Sequence, residues 1–163
     1  MKFLYVPWRS QYVKNKPKDD ACVFCEKIAS DDDANNFILG RYKHNAVFLN
    51  LFPYNAGHLM IIPYKHTNNL DELNKEEKSE LIELVSQSIK ILENHTKADG
   101  FNVGLNLGKA AGSGIPTHLH MHVLPRWEGD TNFLPTLSNT KTISFDLNKI
   151  YQDLKPHFNV LKI

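Results

Sequence analysis

The chain has 163 residues, which is the usual size of a single domain with one hydrophobic core. Hydrophobic residues make up 42% of the sequence and charged residues 23%, a composition that argues against disorder, collagen and coiled coil. The net charge of +1 gives no broad basic surface for nucleic acid or an anionic membrane, and no apolar run approaches the ~18 residues of a membrane span. We therefore expect a soluble, cytoplasmic protein without a nucleic-acid or membrane partner.

The first part of the chain predicts an irregular arm followed by a pair of strands. Residues 1–20 contain prolines and a polar run, which is typical of an N-terminal arm that leads to Cys22. The apolar segments Ala46–Phe52 and Leu59–Ile62 flank a turn at Pro53–Gly57. This pattern predicts two strands joined by a short loop.

A long helix is predicted after these strands. Asn74 and Glu77 have the spacing of an N-capping pair, and apolar residues then recur at helical spacing until Gly100. One face of the helix should therefore be buried. Its apolar stripe consists of Leu81, Leu84, Val85, Ile89 and Leu92.

Two more strands and a last helix are predicted in the second half. Phe101–Leu107 alternates apolar residues with asparagine and glycine, and a glycine-rich turn follows at Lys109–Gly114. His118–Val123 alternates histidine with apolar residues in the same way. A loop at Glu128–Thr140 then precedes a short helical stretch near Leu147–Leu154.

Strands, a helix and further strands in this order predict an α+β fold, with an antiparallel β-sheet and helices on one face. We place the domain at residues 21–135, after the arm. Residues 136–163 are then a C-terminal extension packed on the same domain.

The segment around His118, His120 and His122 is the most informative in the chain. Side chains at i, i+2 and i+4 of a strand share a face, so the three imidazoles should project together while the apolar residues between them enter the core. The alternative is an ordinary polar face of a strand. The nearby small residues of Gly108–Gly114 favour a site, because backbone N–H groups there can approach an anion and form a nest.

The two cysteines, Cys22 and Cys25, have Cys-x-x-Cys spacing. Such a pair can bind zinc, act as a redox couple or simply be two small buried residues, and the spacing does not decide between these. A redox role is less favoured because no thioredoxin-like strand precedes the pair. A closed zinc site would need two more ligands from the chain.

The histidine segment and its surroundings resemble a known family. His118–Arg126 is similar to the histidine-triad motif, in which three histidines alternate with apolar residues and a Pro-Arg pair follows. Asn50 and Gly57–Pro63 resemble the family's strand pair, and Asn106 with Gly112, Ser113 and Gly114 resembles its phosphate cradle. The flanking segments Leu4–Arg9 and Pro125–Phe133 look like those of the bacterial diadenosine tetraphosphate phosphorylase branch.

This resemblance implies a HIT-like fold, an antiparallel sheet with a long helix and a short C-terminal helix, and a covalent mechanism. His120 would attack an α-phosphate and form a nucleotidyl-histidine, with its other ring nitrogen held by a backbone carbonyl. His122 would bind the phosphate and assist the leaving group, and His118 completes the catalytic triad. Ser113 and nearby N–H groups would stabilise charge, Asn50 would contact ribose, and His58 would lie near the site.

Two further expectations rest on the resemblance. Some relatives complete a zinc site with a histidine after the Ile-Pro strand and with the first triad histidine, which implies a structural zinc bound by Cys22, Cys25, His66 and His118. The family also implies a homodimer. His44, His95 and His157 receive no function; His44 and His95 are predicted to lie on the surface and His157 in the C-terminal tail.

The leading hypothesis is a nucleotidyl transferase or hydrolase that cleaves dinucleoside polyphosphates, with inorganic phosphate as the acceptor. A second anion beside His120 would need donors, for which Lys109, Arg126 and Arg9 are candidates. The enzymatic alternative is a nucleoside phosphoramidase or AMP-conjugate hydrolase. The alternative from another class is a zinc-stabilised nucleotide-binding module without turnover.

Overall fold

The computed structural model describes residues 21–131 and 145–163. The predicted arm at residues 1–20 and the flanking segment Leu4–Arg9, together with Asn132 and Phe133, lie outside the described residues. The described part is an α+β fold with a five-stranded antiparallel sheet, which confirms the predicted class. The strands are β1 Ile38–Arg41, β2 Asn45–Leu49, β3 Leu59–Pro63, β4 Gly100–Leu105 and β5 Met121–Arg126. Their order across the sheet is β1-β2-β3-β5-β4. The helices are α1 Val23–Ala29, α2 Asp33–Asn36, α3 Lys75–Thr96 and α4 Leu147–Asn159.

The predicted strand pair is present as β2 and β3, with Ala46 opposite Ile62 and Leu49 opposite Leu59. β2 ends at Leu49, earlier than predicted. The Asn50 N–H still bonds to the His58 carbonyl, and the Asn50 side chain then accepts from the Phe52 N–H, which turns the chain. Strand β1 is not predicted from the sequence, and it pairs with β2 through an irregular register near Gly40. A four-residue strand with a glycine carries too weak a periodic signal to be recognised.

The long helix α3 begins as predicted. Asn74 accepts a hydrogen bond from the Glu77 N–H at 2.8 Å and Glu77 accepts one from the Asn74 N–H at 2.7 Å, a complete capping box. The helix ends at Thr96, and the next residue, Lys97, caps it in a left-handed backbone conformation. The predicted apolar stripe faces the sheet, with Ile89 half-buried and its other four members buried.

The strand predicted at His118–Val123 begins later, at Met121. The Leu119 N–H bonds to the Thr67 carbonyl instead of a neighbouring strand, so the chain joins the sheet only after His120. The alternation nevertheless holds. Leu119, Met121 and Val123 enter the core beneath α3, and the histidines project to the opposite face.

Helices cover both faces of the sheet, which corrects the prediction of helices on one face. α3 and α4 pack on the larger core. The unpredicted helix α1 packs Phe24 on the other face, against Phe48 at 6.2 Å between ring centroids. A seven-residue helix with one buried apolar residue shows no repeat that a periodicity analysis could find.

The C-terminal helix α4 is longer than predicted and contacts β1. The Tyr151 hydroxyl donates to the Ile38 carbonyl at 3.2 Å, and Lys155 donates to the same carbonyl at 2.9 Å. His157 lies in the last turn of α4, which corrects its placement in a tail. The domain division at residues 20 and 135 stays a prediction. In the described ranges, no helix combines the length and apolar character needed to cross a membrane.

Candidate active site and metal cluster

One row of side chains crosses the sheet on the α1 face. The strand registers place Ile38, Phe48, Met60 and His122 next to one another on β1, β2, β3 and β5. Neighbouring strands are about 4.8 Å apart, so His122 and Ile38 are separated by roughly 14 Å. The row therefore has a histidine at one end and apolar side chains along the rest.

A cavity of about 600 Å³ lies above this row. Its walls come from α1, from the loop after β2 and from the glycine-rich segment before β5. It brings together residues that the sequence analysis selected independently, namely Asn50, Asn106, Gly112, Gly114, His120 and His122. It also includes residues that the analysis did not select, namely Phe24, Lys27, Asn36 and Tyr54. Three of these four belong to helices that had no detectable sequence signal.

His120 is held in a single orientation at the cavity wall. Its side chain is buried, and Nδ1 lies 2.8 Å from the His118 carbonyl oxygen. A carbonyl can only accept, so Nδ1 carries the proton and Nε2 keeps its lone pair. The ring lies 5.2 Å from that of Phe24 and 5.0 Å from that of His122, between ring centroids. The free ring nitrogen of His120 is therefore the candidate nucleophile of the site.

A chain of hydrogen bonds sets the tautomer of His122. His58 Nδ1 is the common acceptor for the Tyr54 N–H at 3.2 Å and the Asn50 amide at 3.3 Å. His58 Nε2 must then carry the proton, which it donates to His122 Nδ1 at 2.9 Å. The remaining proton of neutral His122 is consequently on Nε2. His122 can donate from that nitrogen.

Burial keeps these imidazoles neutral. Burial, with the neighbouring His122 and His120 adding to it, lowers the pKa of His58 to about 3. Burial and the nearby His120 lower the pKa of His122 to about 4. Burial also lowers the pKa of His120, although its bond to the His118 carbonyl opposes that effect. Near neutral pH the cluster therefore contains uncharged rings, as an imidazole nucleophile requires.

The glycine-rich segment differs in detail from the predicted nest. Gly108 and Gly112 have positive φ values of 82° and 86°, which only glycine adopts without strain. The N–H groups of Ala111, Gly112 and Ser113 donate to carbonyls of the same loop, so they do not all point towards an anion. Gly112 and Gly114 line the cavity. The Ser113 hydroxyl is buried with no hydrogen-bond partner among the described residues, which makes it a donor in need of an acceptor.

Asn50 and Arg126, one of the three proposed anion donors, have definite structural partners. The Asn50 side-chain oxygen Oδ1 accepts from the Phe52 N–H at 2.9 Å, so this residue shapes the loop after β2 as well as lining the cavity. The Arg126 guanidinium is occupied by Asp130 at 2.6 Å and by Asn102 at 2.8 Å. Arg126 is therefore a poor candidate for a substrate anion. Lys109 is exposed on the glycine-rich segment, and Arg9 lies outside the described residues.

Beside the cavity, Cys22, Cys25, His66 and His118 converge with all their ligand atoms within 4.8 Å of one another. His118 Nδ1 lies 3.3 Å from Cys22 Sγ, and His66 Nδ1 lies 3.3 Å from Cys25 Sγ. His118 Nε2 donates to the Pro63 carbonyl at 2.8 Å, which leaves the Nδ1 lone pair facing the sulfurs. Two thiols and two imidazoles match the donor set of a closed zinc site.

The convergence of His66 and His118 on both sulfurs favours a metal site over the redox alternative for the cysteines. Burial and the adjacent Cys22 raise the pKa of the Cys25 thiol. The other histidines lie away from the cavity. His95 approaches Asp153 of α4 at 3.8 Å and packs near His157, and His44 is half-buried instead of exposed as predicted.

Comparison with known proteins places this geometry in a family. The sequence matches the HIT domain model over residues 32–129. It is 39% identical over 148 residues to the AP-4-A phosphorylase of Mycobacterium tuberculosis, covering 86% of this chain and 75% of that protein. It is 33% identical over 90 residues to the asymmetrical bis(5'-nucleosyl)-tetraphosphatase of Schizosaccharomyces pombe, covering 55% of this chain and 49% of that protein.

A solved structure shares the fold. A zinc-bound histidine triad family protein from Mycobacterium smegmatis aligns with a TM-score of 0.69 and 25% identity, covering 85% of this chain and 94% of that chain. The match to the HIT domain includes His58 and all three triad histidines, whereas the two cysteines lie before it. The resemblance drawn from the histidine segment is thus confirmed. The chain is an enzyme of the histidine-triad (HIT) family.

Proposed function

We propose that the protein is a nucleotidyl transferase that cleaves dinucleoside polyphosphates through a nucleotidyl-His120 intermediate. The observation that carries the proposal is the tautomer of His120. Its Nδ1 proton is committed to the His118 carbonyl, so the Nε2 lone pair is available in a cavity large enough for a nucleotide. The names of the M. tuberculosis and S. pombe relatives support the substrate class.

In the first step His120 Nε2 attacks the α-phosphorus of the bound substrate. A phosphorus–nitrogen bond forms while the bond from that phosphorus to the bridging oxygen breaks, and the remainder of the polyphosphate leaves with the electron pair. His122 donates from Nε2 to the phosphate or to the departing oxygen. The Ser113 hydroxyl and the Gly114 N–H stabilise the non-bridging oxygens. Asn106 and Asn50 line the cavity and hold phosphate and ribose.

The second step transfers the nucleotidyl group from His120 to an acceptor. With inorganic phosphate, a phosphate oxygen attacks the phosphorus and the phosphorus–nitrogen bond breaks, so diadenosine tetraphosphate yields ATP and then ADP. The phosphorylase relative favours this acceptor, and Lys109, exposed on the glycine-rich segment, is our candidate cation to attract it. Water is the alternative, favoured by the tetraphosphatase relative, and would yield AMP in place of ADP.

A structural zinc held by Cys22, Cys25, His66 and His118 is part of the proposal. The donor set and the orientation of His118 Nδ1 fit the metal, and the zinc-bound relative supports it. When bound, zinc would supply cross-linking free energy and no chemistry at the phosphate. It would fasten the start of α1, and with it Phe24, to the segment that carries His120.

A homodimer and a cytoplasmic location remain proposals as well. β4 pairs only with β5 in the described sheet, and Val103 on this edge strand is 44% exposed. Leu107, just beyond the strand, is 48% exposed. An edge strand with exposed apolar side chains is suited to pairing with a second copy. Sedimentation of the wild type and of Val103→Lys should show a dimer for the first and a monomer for the second.

The decisive experiment is mass spectrometry of protein mixed briefly with diadenosine tetraphosphate. We expect one added adenylyl group on a peptide that contains His120, and no adduct with His120→Ala.

Product chromatography with and without phosphate then identifies the acceptor. ADP with ATP supports phosphorolysis, and AMP with ATP at equal rates in both reactions would establish a hydrolase. An adduct formed only from adenosine phosphoramidate would favour the phosphoramidase, and nucleotide binding without adduct or product would favour the binding module.

A further inference from the structure

The cavity contains a cation that the proposed mechanism does not use. Lys27, on α1, lines the cavity and is half-buried. Among the ion pairs of residues 21–131 and 145–163, none includes Lys27. Burial lowers the pKa of its ammonium group, since the charged form loses contact with water. A half-buried ammonium without a partner is costly unless a ligand supplies an acceptor.

The α1 turn that carries Lys27 lies on the β1 side of the sheet, where Arg41 of β1 donates to the Lys27 carbonyl at 3.5 Å, away from the histidines of β5. Phe24, whose ring contacts those of His120 and Phe48, is on the same helix three residues earlier. Lys27 therefore follows Phe24 on the same helix face, about 4.5 Å further along the axis. Asn36, which also lines the cavity, precedes β1, the strand furthest from β5 in the row beneath the cavity.

The order of groups along the cavity matches the order of groups in a nucleotide. The phosphate end is defined by His120 and His122, and the middle is apolar, with Phe24, Phe48 and Met60 around it. Flat apolar walls suit the faces of a base. Polar groups at the far end would then meet the edge of that base. Because Phe24 is the α1 residue whose ring contacts His120 and Lys27 follows it towards β1, we assign Lys27 to the base end of the cavity and not to the phosphate that reacts.

We propose that Lys27 binds the edge of the base and that this contact makes the enzyme accept guanine as well as adenine nucleotides. The proposal rests on the proposed function, because it assumes a nucleotide in the cavity. Lysine has donors only, and guanine presents two adjacent acceptors, O6 and N7, on one edge. Adenine presents N7 beside an N6 donor, which suits an amide such as that of Asn36 better than an ammonium group.

Binding of mononucleotides tests this inference without requiring turnover. AMP, GMP and IMP are titrated into the wild type, Lys27→Met and Lys90→Met by calorimetry. Methionine keeps much of the length of the lysine side chain, and Lys90 is an exposed lysine of α3 away from the cavity. Loss of a charge-assisted hydrogen bond should weaken binding of GMP and IMP to Lys27→Met by about ten- to a hundredfold. Binding of AMP to Lys27→Met should weaken by less than about threefold, and Lys90→Met should bind all three nucleotides as the wild type does.

Other results would overturn the inference. Equal losses for AMP and GMP, or no loss for either, would show that Lys27 does not distinguish the bases. IMP lacks the guanine 2-amino group, so retention of IMP binding with loss of GMP binding alone would also contradict contact with O6 and N7. If Lys27→Met unfolds at a lower temperature, Lys27→Arg provides the second variant and should keep GMP binding. Base-selective binding without any adduct on His120 would refute the proposed function and leave this inference standing, and no nucleotide binding by the wild type would refute both.

Discussion

The hydrogen-bond chain through His58 predicts a specific defect when only one of its links is removed. In His58→Asn the oxygen of the introduced amide would occupy the place of Nδ1 and still accept from the Tyr54 N–H, but the side chain is too short to reach His122. In His58→Gln the longer amide can reach His122 and donate to its Nδ1. The pair of variants therefore separates the loop contact of His58 from its contact with His122.

The magnitude follows from the lost hydrogen bond. A neutral hydrogen bond contributes about 0.5–1.5 kcal/mol. With the bond from His58, His122 therefore favours the tautomer that carries its proton on Nε2 by about three- to tenfold, and without the bond this preference is lost. General-acid assistance is worth roughly 10²–10⁴ in rate, and only part of it is lost when the tautomer is no longer fixed. The free energy of this hydrogen bond limits the loss, so we expect kcat to fall by about three- to tenfold in His58→Asn and by less in His58→Gln. KM should change little, because His58 does not line the cavity.

The assay is steady-state turnover of diadenosine tetraphosphate, with the thermal unfolding midpoint measured for each variant. The variants must remain folded and bind AMP as the wild type does. A His58→Asn enzyme with a kcat within about twofold of the wild type would refute a role for this chain in catalysis. Equal losses of kcat in both variants would show that packing of the buried ring matters and that its donation to His122 does not.

Three further predictions concern stability. Chelation of zinc should lower the melting temperature of the wild type but have little effect on that of Cys25→Ser. Both melting temperatures are measured together with the metal content of each protein, and equal shifts on chelation would count against the zinc site. In the folded protein the pKa of His58 is about 3 and that of His122 about 4, both below the ordinary 6.5. As the pH falls, these two histidines therefore bind protons in the unfolded chain before they do so in the folded protein. The free energy of unfolding should consequently decrease from about pH 6.5 towards pH 4. Urea unfolding should show a shallower decrease in His58→Asn, and an unchanged slope would contradict the assignment. Gly57→Ala should lower the free energy of unfolding by about 1–2 kcal/mol, because φ of Gly57 is +71° and the added Cβ would lie 3.0 Å from Leu92 Cδ2. Gly104→Ala is the control and should lower it by less, because no atom lies near the added Cβ. Similar losses of stability in both variants would refute the strain argument.

The sequence by itself determined the features that depend on short-range spacing. The capping pair of Asn74 and Glu77 and the apolar stripe behind it identified α3, because helix capping and amphipathic periodicity are local properties. The alternation from His118 to Val123 correctly separated core residues from site residues, even though the strand begins later than predicted. The motif was also specific enough to indicate the family.

The tertiary structure decided what lies far apart in the chain. Cys22 and His118 are 96 residues apart, and their contact depends on α1 folding over the sheet, which no local pattern reveals. Cysteine spacing alone left three interpretations open, and the convergence of four donors favours the zinc site. The tautomers of His120 and His122 likewise depend on backbone and side-chain partners that the fold provides. The position of Lys27 at the cavity could not be predicted either, because a lysine in an unrecognised short helix reads as an ordinary surface residue. Only the tertiary structure shows that Lys27 is half-buried and lines the cavity.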